Sequence, residues 1–428
     1  MAMSLVTNCS RMFRGLLSPV VAVALLACLP PTAHAQVSLF VSGTGDPSPV
    51  PVCFTAISAL AMLEAPGVPA TAVDIGAPLL AQAFGSLTCP SLRAAIRHAN
   101  TNGNSATDVI VLQGGSTYTL SLRGRGEDNA LTGDLDITSN VRITTNATTL
   151  GSIATVQGGT GWDDRIFDVR AGVVQIENLQ IANGHVDFDV GGGIRNQGTL
   201  TLVNSTVTGN SCNSGGGGIF NQGTLTLINS IVAGNSTRTG SSGGGIANGG
   251  TLTLTGSTIK SNSASSNGGG IHNSLNATLT NSIVSDNAAF LSGGGIANLG
   301  TLELTGTTVS SNRVDFPGDT NGGGILNQGR LSVSKSTISS NVGGGIFNTA
   351  PAVDLTLTNS TVSSNNGAGI RQNTLTGRVT LNNVTIALNT GAGVRNTDGF
   401  VFLSNTILAD ECEGTLVSND YNLVQSAA

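Results

Sequence analysis

The second half of the chain repeats one short pattern of apolar and polar positions. Each copy approximates GGGIxNxGTLTLxNSTVxxN, as in 191–210 and 216–235. Apolar residues fall at every second position: Leu200 and Leu202, Leu225 and Leu227, Leu252 and Leu254, and Leu302 and Leu304 face one way. Thr201, Thr226, Thr253 and Glu303 face the other. A period of two predicts strands, here at the Ile-x-Asn, Leu-x-Leu and Ser-x-Val stretches. Gly, Asn and Ser between them supply the conformations that turn a chain.

The copies end their glycine block at Ile194, Ile219, Ile246, Ile271, Ile296, Ile325, Ile346, Ile370 and Val394, at intervals of 25, 27, 25, 25, 29, 21, 24 and 24. A near-constant period of this size marks a solenoid, in which each unit buries its open face on the next. About 25 residues leave no room for the helical return of a leucine-rich horseshoe or the four strands of a propeller blade. The unit is one coil of a right-handed parallel β-helix, and the predicted fold is all-β, with about 11–12 coils when the strand-like text ahead of the glycine blocks is added. At a strand spacing of about 4.8 Å, nine coils extend roughly 40 Å.

Two asparagine columns fit this stacking. Asn196, Asn221, Asn248, Asn273, Asn298, Asn327 and Asn348 share one position in the repeat. Asn210, Asn235, Asn262, Asn287, Asn312, Asn341, Asn365 and Asn389 share another. Stacked coils let each amide donate to the next, which satisfies polar groups that a lone buried Asn could not.

The ends depart from the repeat. Arg11 and Arg14 precede the apolar run Leu16 to Leu29, and Ala33-His34-Ala35 follows as a cleavage signal. Residues 1–35 therefore read as an export signal, with a mature chain from Gln36 that is secreted or held at an outer surface. Leu25-Leu26-Ala27-Cys28 also fits a lipoprotein processing site, which would leave Cys28 lipid-anchored. No later stretch is apolar for the roughly 20 residues of a membrane helix. Residues 36–105 form an N-terminal cap region, punctuated by prolines and ending in an amphipathic helix. Leu92, Ala95, Ile96 and Ala99 line one face of it, with Ser91 as N-cap. A helix is expected there because an open solenoid end exposes unpaired strand edges. The first coils span 106–190, the regular repeats 191–410 and a closing segment 411–428.

Composition narrows the function. Of 428 residues 59 are Gly and only 4% aromatic, which suits thin coils. Without residues 1–35 the chain keeps 24 acidic and 16 of 18 basic residues, a formal charge of -8. Its basic residues are scattered, which argues against nucleic acid as a partner. Export permits disulfides, and Cys53 with Cys89 is the plausible pair, while Cys212 and Cys412 lie too many coils apart.

One stretch carries a family resemblance. Cys89-Pro90-Ser91-Leu92-Arg93-Ala94-Ala95-Ile96-Arg97-His98-Ala99-Asn100 resembles the CSLREA-type segment that opens many secreted bacterial β-helix proteins. Asp108-Val109-Ile110, Arg165-Ile166-Phe167 and the glycine-block coils follow in that family's order. Asn405-Thr406-Ile407-Leu408-Ala409, Cys412 and Asp420-Tyr421-Asn422-Leu423 are similar to its choice-of-anchor closing segment. The resemblance implies a pectate-lyase-like β-helix, surface-associated and mostly without an assigned reaction. Residues 44–88, an apparent insertion, and Pro90 depart from it.

Candidate chemistry is confined to the early coils. Between Gly191 and Asn396 the only acids are Asp286, Glu303, Asp315, Asp319 and Asp354, too dispersed for the paired carboxylates of a glycosidase. Ahead of them gather Glu127, Asp128, Asp134, Asp136, Asp163, Asp164, Asp168, Glu177, Asp187 and Asp189, with several arginines. Asp163 and Asp164, beside Trp162 and Arg165, have the makings of a calcium site with an arginine base and an aromatic sugar platform. Asp187 and Asp189 alternate with Phe188, so both carboxylates lie on one side near His185. The competing reading has Trp162 and Phe167 closing the core while the acids pair with arginines at solvated corners.

Two further likenesses fail. Asn396-Thr397-Asp398, Asp163-Asp164 and Gly184-His185 match polygalacturonase motifs in the wrong order. The outward Thr-x-Thr rungs, which suggest ice binding, are broken at Asn276, Arg330, Asp354 and Arg378. The sequence favours a non-catalytic, adhesin-like β-helix whose partner is a polysaccharide or cell-surface macromolecule. The alternative is a polysaccharide lyase or glycoside hydrolase acting at the acidic coils. No cofactor is required beyond that calcium.

Overall fold

The computed structural model describes residues 38–47, 53, 86–103, 105–146, 152–316, 321–350 and 353–424. The segment read as an export signal, most of the stretch read as an insertion and Asp319 lie outside them. The described chain is an all-β parallel solenoid with one helix. All strand pairings are parallel, and Leu200, Leu225 and Leu252 stack in register. Crossovers between parallel strands wind right-handed as a rule.

Two sheets run the length of the rod and a third spans only its middle coils, from His185 to Val314. The largest has 25 strands and carries both the Ile-x-Asn and the Leu-x-Leu files, the second has 13 strands from the Ser-x-Val positions, and the third has six. The third sheet is a difference from the expected three strands per coil. In the coils from His185–Val186 to Arg313–Val314, two residues after the second asparagine pair with their counterparts before the glycine block begins. The core is one continuous apolar column, with Ile194, Leu200, Leu202 and Val207 all fully buried and repeated coil by coil.

Both asparagine columns form as expected. Asn196 Nδ2 donates to Asn221 Oδ1 at 2.7 Å, and the ladder continues through Asn348 to Gln372. The second runs from Asn210 to Asn389 and ends on the carboxylate of Asp410, 2.7 Å away. A third ladder, not foreseen, links the backbone N–H of Ser205, Ser230 and Ser257 to the hydroxyl of the next coil's serine. Buried polar groups here are satisfied by translation of the same residue, so each coil depends on its neighbours.

The glycine block answers a steric demand. A Cβ on Gly217 would lie 2.4 Å from Ser236 O and 2.5 Å from Gly244 O, both backbone atoms of the next coil. The coils therefore approach more closely at this corner than any side chain allows.

Helix α1 (Leu92–Thr101) covers the N-terminal end, with Ser91 Oγ accepting from Ala94 N and Leu92, Ala95, Ile96 and Ala99 buried. Strand Ser38–Val41 lies between Ser86–Cys89 and Asp108–Gln113, and Cys53 is bonded to Cys89. Cys212 and Cys412 are free thiols. At the far end Cys412–Glu413, Val417–Asp420 and Leu423–Val424 add a further parallel rung. Among the described residues no helix is long and apolar enough to cross a membrane.

Candidate functional site

The acids of the early coils converge because two of them occupy the outward position of the Ile-x-Asn file. Asp136 pairs in register with Asp168, and Asp168 with Arg195. Leu135, Ile137, Phe167 and Val169 on either side point into the core, so alternation turns the charged residues outward. Asp136 and Asp168 are nevertheless only 1% exposed. The long connection from Leu120 to Leu135 folds back over this face and covers them.

That connection is tied at both stems. Asp46 Oδ2 accepts from Ser121 N and Leu122 N, and Asp46 is paired with the fully buried Arg93 at 2.7 Å. Arg93 in turn donates to the carbonyls of Thr132, Gly133 and Asp134. Glu127 gathers the N–H groups of Asn129, Leu131 and Thr132 inside the loop. Gly133 has φ of 60°, and a Cβ there would stand 2.3 Å from Gly124 O and 2.5 Å from the Asp164 carboxylate.

One carboxylate oxygen each from Asp134, Asp136 and Asp168 lies within 4.8 Å of the others. Guanidinium groups balance them. Arg165 pairs with Asp134 at 3.0 Å and with Asp189, while Arg195 engages both oxygens of Asp168 at 2.9 and 2.5 Å. Arg170 contacts Asp128 and stands 3.8 Å from Asp136 Oδ1, an oxygen with no hydrogen bond. Burial, reinforced by the Asp164 carboxylate, pushes Asp134 up to about 8 against the pull of Arg165. Burial likewise raises Asp136 to about 6, against the hydrogen bond from Ala130 N, and raises Asp164.

The sequence-derived candidates are placed as follows. Asp163 and Asp164 diverge: Asp163 pairs with Arg125 at 3.2 Å, whereas Asp164 accepts from the backbone N–H of Arg165 and Asp134. The carboxylates that converge are instead Asp134, Asp136 and Asp168, with Arg165, Arg170 and Arg195 set against them. Trp162 is 6% exposed, packs on Gly158 and donates from Nε1 to Arg165 O, which corrects its reading as a sugar platform. Trp162 and Phe167 do close the core, as the competing reading held, and Asp128, Asp163, Asp187 and Asp189 pair with arginines at partly exposed positions, whereas Asp134, Asp136, Asp164 and Asp168 are buried. Asp187 and Asp189 share one side. Asp187 bridges His185 Nε2 at 3.0 Å and Arg125 at 3.3 Å, and His185 Nδ1 meets Ser211 Oγ at 2.7 Å.

A cleft of about 230 Å³ opens above this network, lined by six acidic residues and three arginines, with Phe188 on its rim. Elsewhere on the rod Arg313 pairs with Asp315 and Glu303 stands exposed, which supplies no comparable group.

No family model and no curated protein matches the chain. Among solved structures it is similar to the pectate lyase Pel9A (18% identity, 71% of this chain and 72% of that one, TM-score 0.42). It is also similar to the A-module of mannuronan C-5 epimerase AlgE6 from Azotobacter vinelandii (15%, 79% and 94%, 0.44) and to tailspike protein 3 of bacteriophage CBA120 (13%, 78% and 56%, 0.41). At TM-scores below 0.5 none of them transfers a site to this chain.

Proposed function

We propose that this protein is an exported, surface-associated β-helix that binds a glycan chain in the cleft over its first coils, in an adhesin-like role. The observation that carries the reading is the convergence of carboxylates and guanidinium groups on one open cleft, whereas charged groups elsewhere on the described rod, such as Arg313 with Asp315 and Arg395 with Glu413, stand in separate pairs. Such groups, held in place by one another before any ligand arrives, bind hydroxyl-rich surfaces with little ordering cost. Their support comes from the solenoid itself and from the Asp46–Arg93 pair beneath.

A second reading, catalysis on the bound glycan, is favoured by one group. Asp134 lines the cleft, and burial together with the Asp164 carboxylate raises its pKa to about 8 against the pull of Arg165, a direction that suits a general acid. The two readings part on incubation of the full mature chain with a panel of polysaccharides, with binding and chain cleavage followed together. Binding without new reducing ends or unsaturated product supports the adhesin-like role. Turnover abolished in Asp134→Asn, with binding kept, establishes the enzyme instead. Absence of binding to every polymer overturns both.

A further inference from the structure

Phe188 is 87% exposed at the mouth of the cleft. Its surroundings are the reverse of loose. Asp187 on one side is held by His185 and Arg125, and Asp189 on the other by Arg165, Arg195 and the N–H of Val190. Val186 beneath is buried. The chain bends over 187–190 after the buried Val186, and the ring of Phe188 stands outside it with the Arg125 guanidinium 6.0 Å from its centroid. Burial of a Phe side chain is favourable, and this loop forgoes it by leaving the ring in water.

The charge of the cleft is as specific. Its three arginines are each engaged by carboxylates of the protein: Arg125 with Asp163 and Asp187, Arg165 with Asp134, Asp168 and Asp189, Arg195 with Asp168 and Asp189. Six acids against three arginines leave the lining acidic even with Asp134 protonated. The side chains of Asp128 and Asp189 are 57% and 46% exposed and offer acceptors to donors from solvent. An acidic polymer would meet like charges with no free cation, a juxtaposition that costs several kcal/mol. An uncharged sugar brings hydroxyl donors to those acceptors and an apolar C–H face to the ring.

We propose that the cleft binds an uncharged polysaccharide, with one sugar ring stacked on Phe188, and discriminates against polyuronates. This rests on the glycan-binding reading and narrows its ligand class. The full mature chain is titrated calorimetrically with soluble uncharged glucan, mannan and xylan, and with polygalacturonate and alginate, each with and without added calcium. At least one uncharged polymer binds best, Phe188→Ala weakens that binding about tenfold, and Phe188→Trp retains it, all with unchanged thermal unfolding. Tighter binding of a polyuronate, with or without calcium, overturns the ligand class and leaves glycan binding standing. Equal affinity of Phe188→Ala and the parent overturns the platform. Failure to bind any polymer overturns this inference together with the reading beneath it.

Discussion

The buried carboxyl of Asp134 makes the first coils the pH-sensitive part of the rod. Folded, the group titrates at about 8, and unfolded it titrates near 4. Between those values the folded chain keeps a proton that the unfolded chain has lost, so stability falls as pH rises from about 4 to about 8 and then levels off. One retained proton gives a slope of at most about 1.4 kcal/mol per pH unit, or roughly 2 kcal/mol between pH 6 and pH 8, since the folded group is half-titrated at the upper end. Asp136, raised to about 6, steepens the fall below pH 6 only. Asp134→Asn removes the first titration and leaves those of Asp136 and Asp164, so the variant's stability should fall less steeply than the parent's between pH 6 and pH 8. Trp162 is the chain's single tryptophan and lies two residues from Asp164, so its fluorescence reports on these coils. Urea unfolding followed at this tryptophan, at unit steps from pH 5 to pH 9, measures the slope. A parent midpoint that does not fall between pH 6 and pH 8, or a variant with the parent's slope there, refutes the assignment of that proton to Asp134.

Other substitutions probe the scaffold. Gly217→Ala places a methyl group against two backbone carbonyls and should cost about 1–3 kcal/mol in a denaturant midpoint, whereas Gly45→Ala, which meets nothing within 4 Å, should cost little. Arg93→Met strands the Asp46 carboxylate beneath the cleft and should cost about 3–5 kcal/mol, with the Trp162 signal lost before the far coils unfold. Lys335 has φ of 50° at a corner that Asn204, Asn229, Asn281 and Asn359 fill in other coils, so Lys335→Asn should stabilise by up to about 1 kcal/mol. Reduction of the Cys53–Cys89 bond, which closes 36 residues, should remove roughly 4 kcal/mol of loop entropy, seen as earlier melting of the N-terminal end.

The winding was legible in the chain because a solenoid is a one-dimensional object. Alternating Leu and Thr set which side faces the core, and recurrence of Asn196 and Asn210 in later copies set which residues stack, so periodicity alone yielded strands, register and both ladders. The capping helix and the Cys53–Cys89 bond were equally local, the first in its apolar spacing and the second in the shortage of other partners.

The cleft was not legible in the same way. Asp136 and Asp168 hold the outward position of the Ile-x-Asn file, and aligning Leu135-Asp136-Ile137 and Phe167-Asp168-Val169 with Ile194-Arg195-Asn196 would have brought them together. No glycine block announces those two coils, and the eye goes instead to the adjacent pair Asp163 and Asp164, whose side chains diverge. Nothing in the text separates a Trp that is buried from a Phe that is held in water. That is decided by which neighbours find salt-bridge partners. The loop over the site, the burial that raises Asp134 and the arginines that neutralise its companions arise mostly from contacts between residues 24 to 76 positions apart, and short-range pattern carries no information about them. Periodic order sets the backbone because each coil meets only its neighbours. The site lies where that periodicity is interrupted, and its chemistry is set by how the interruptions pack on one another.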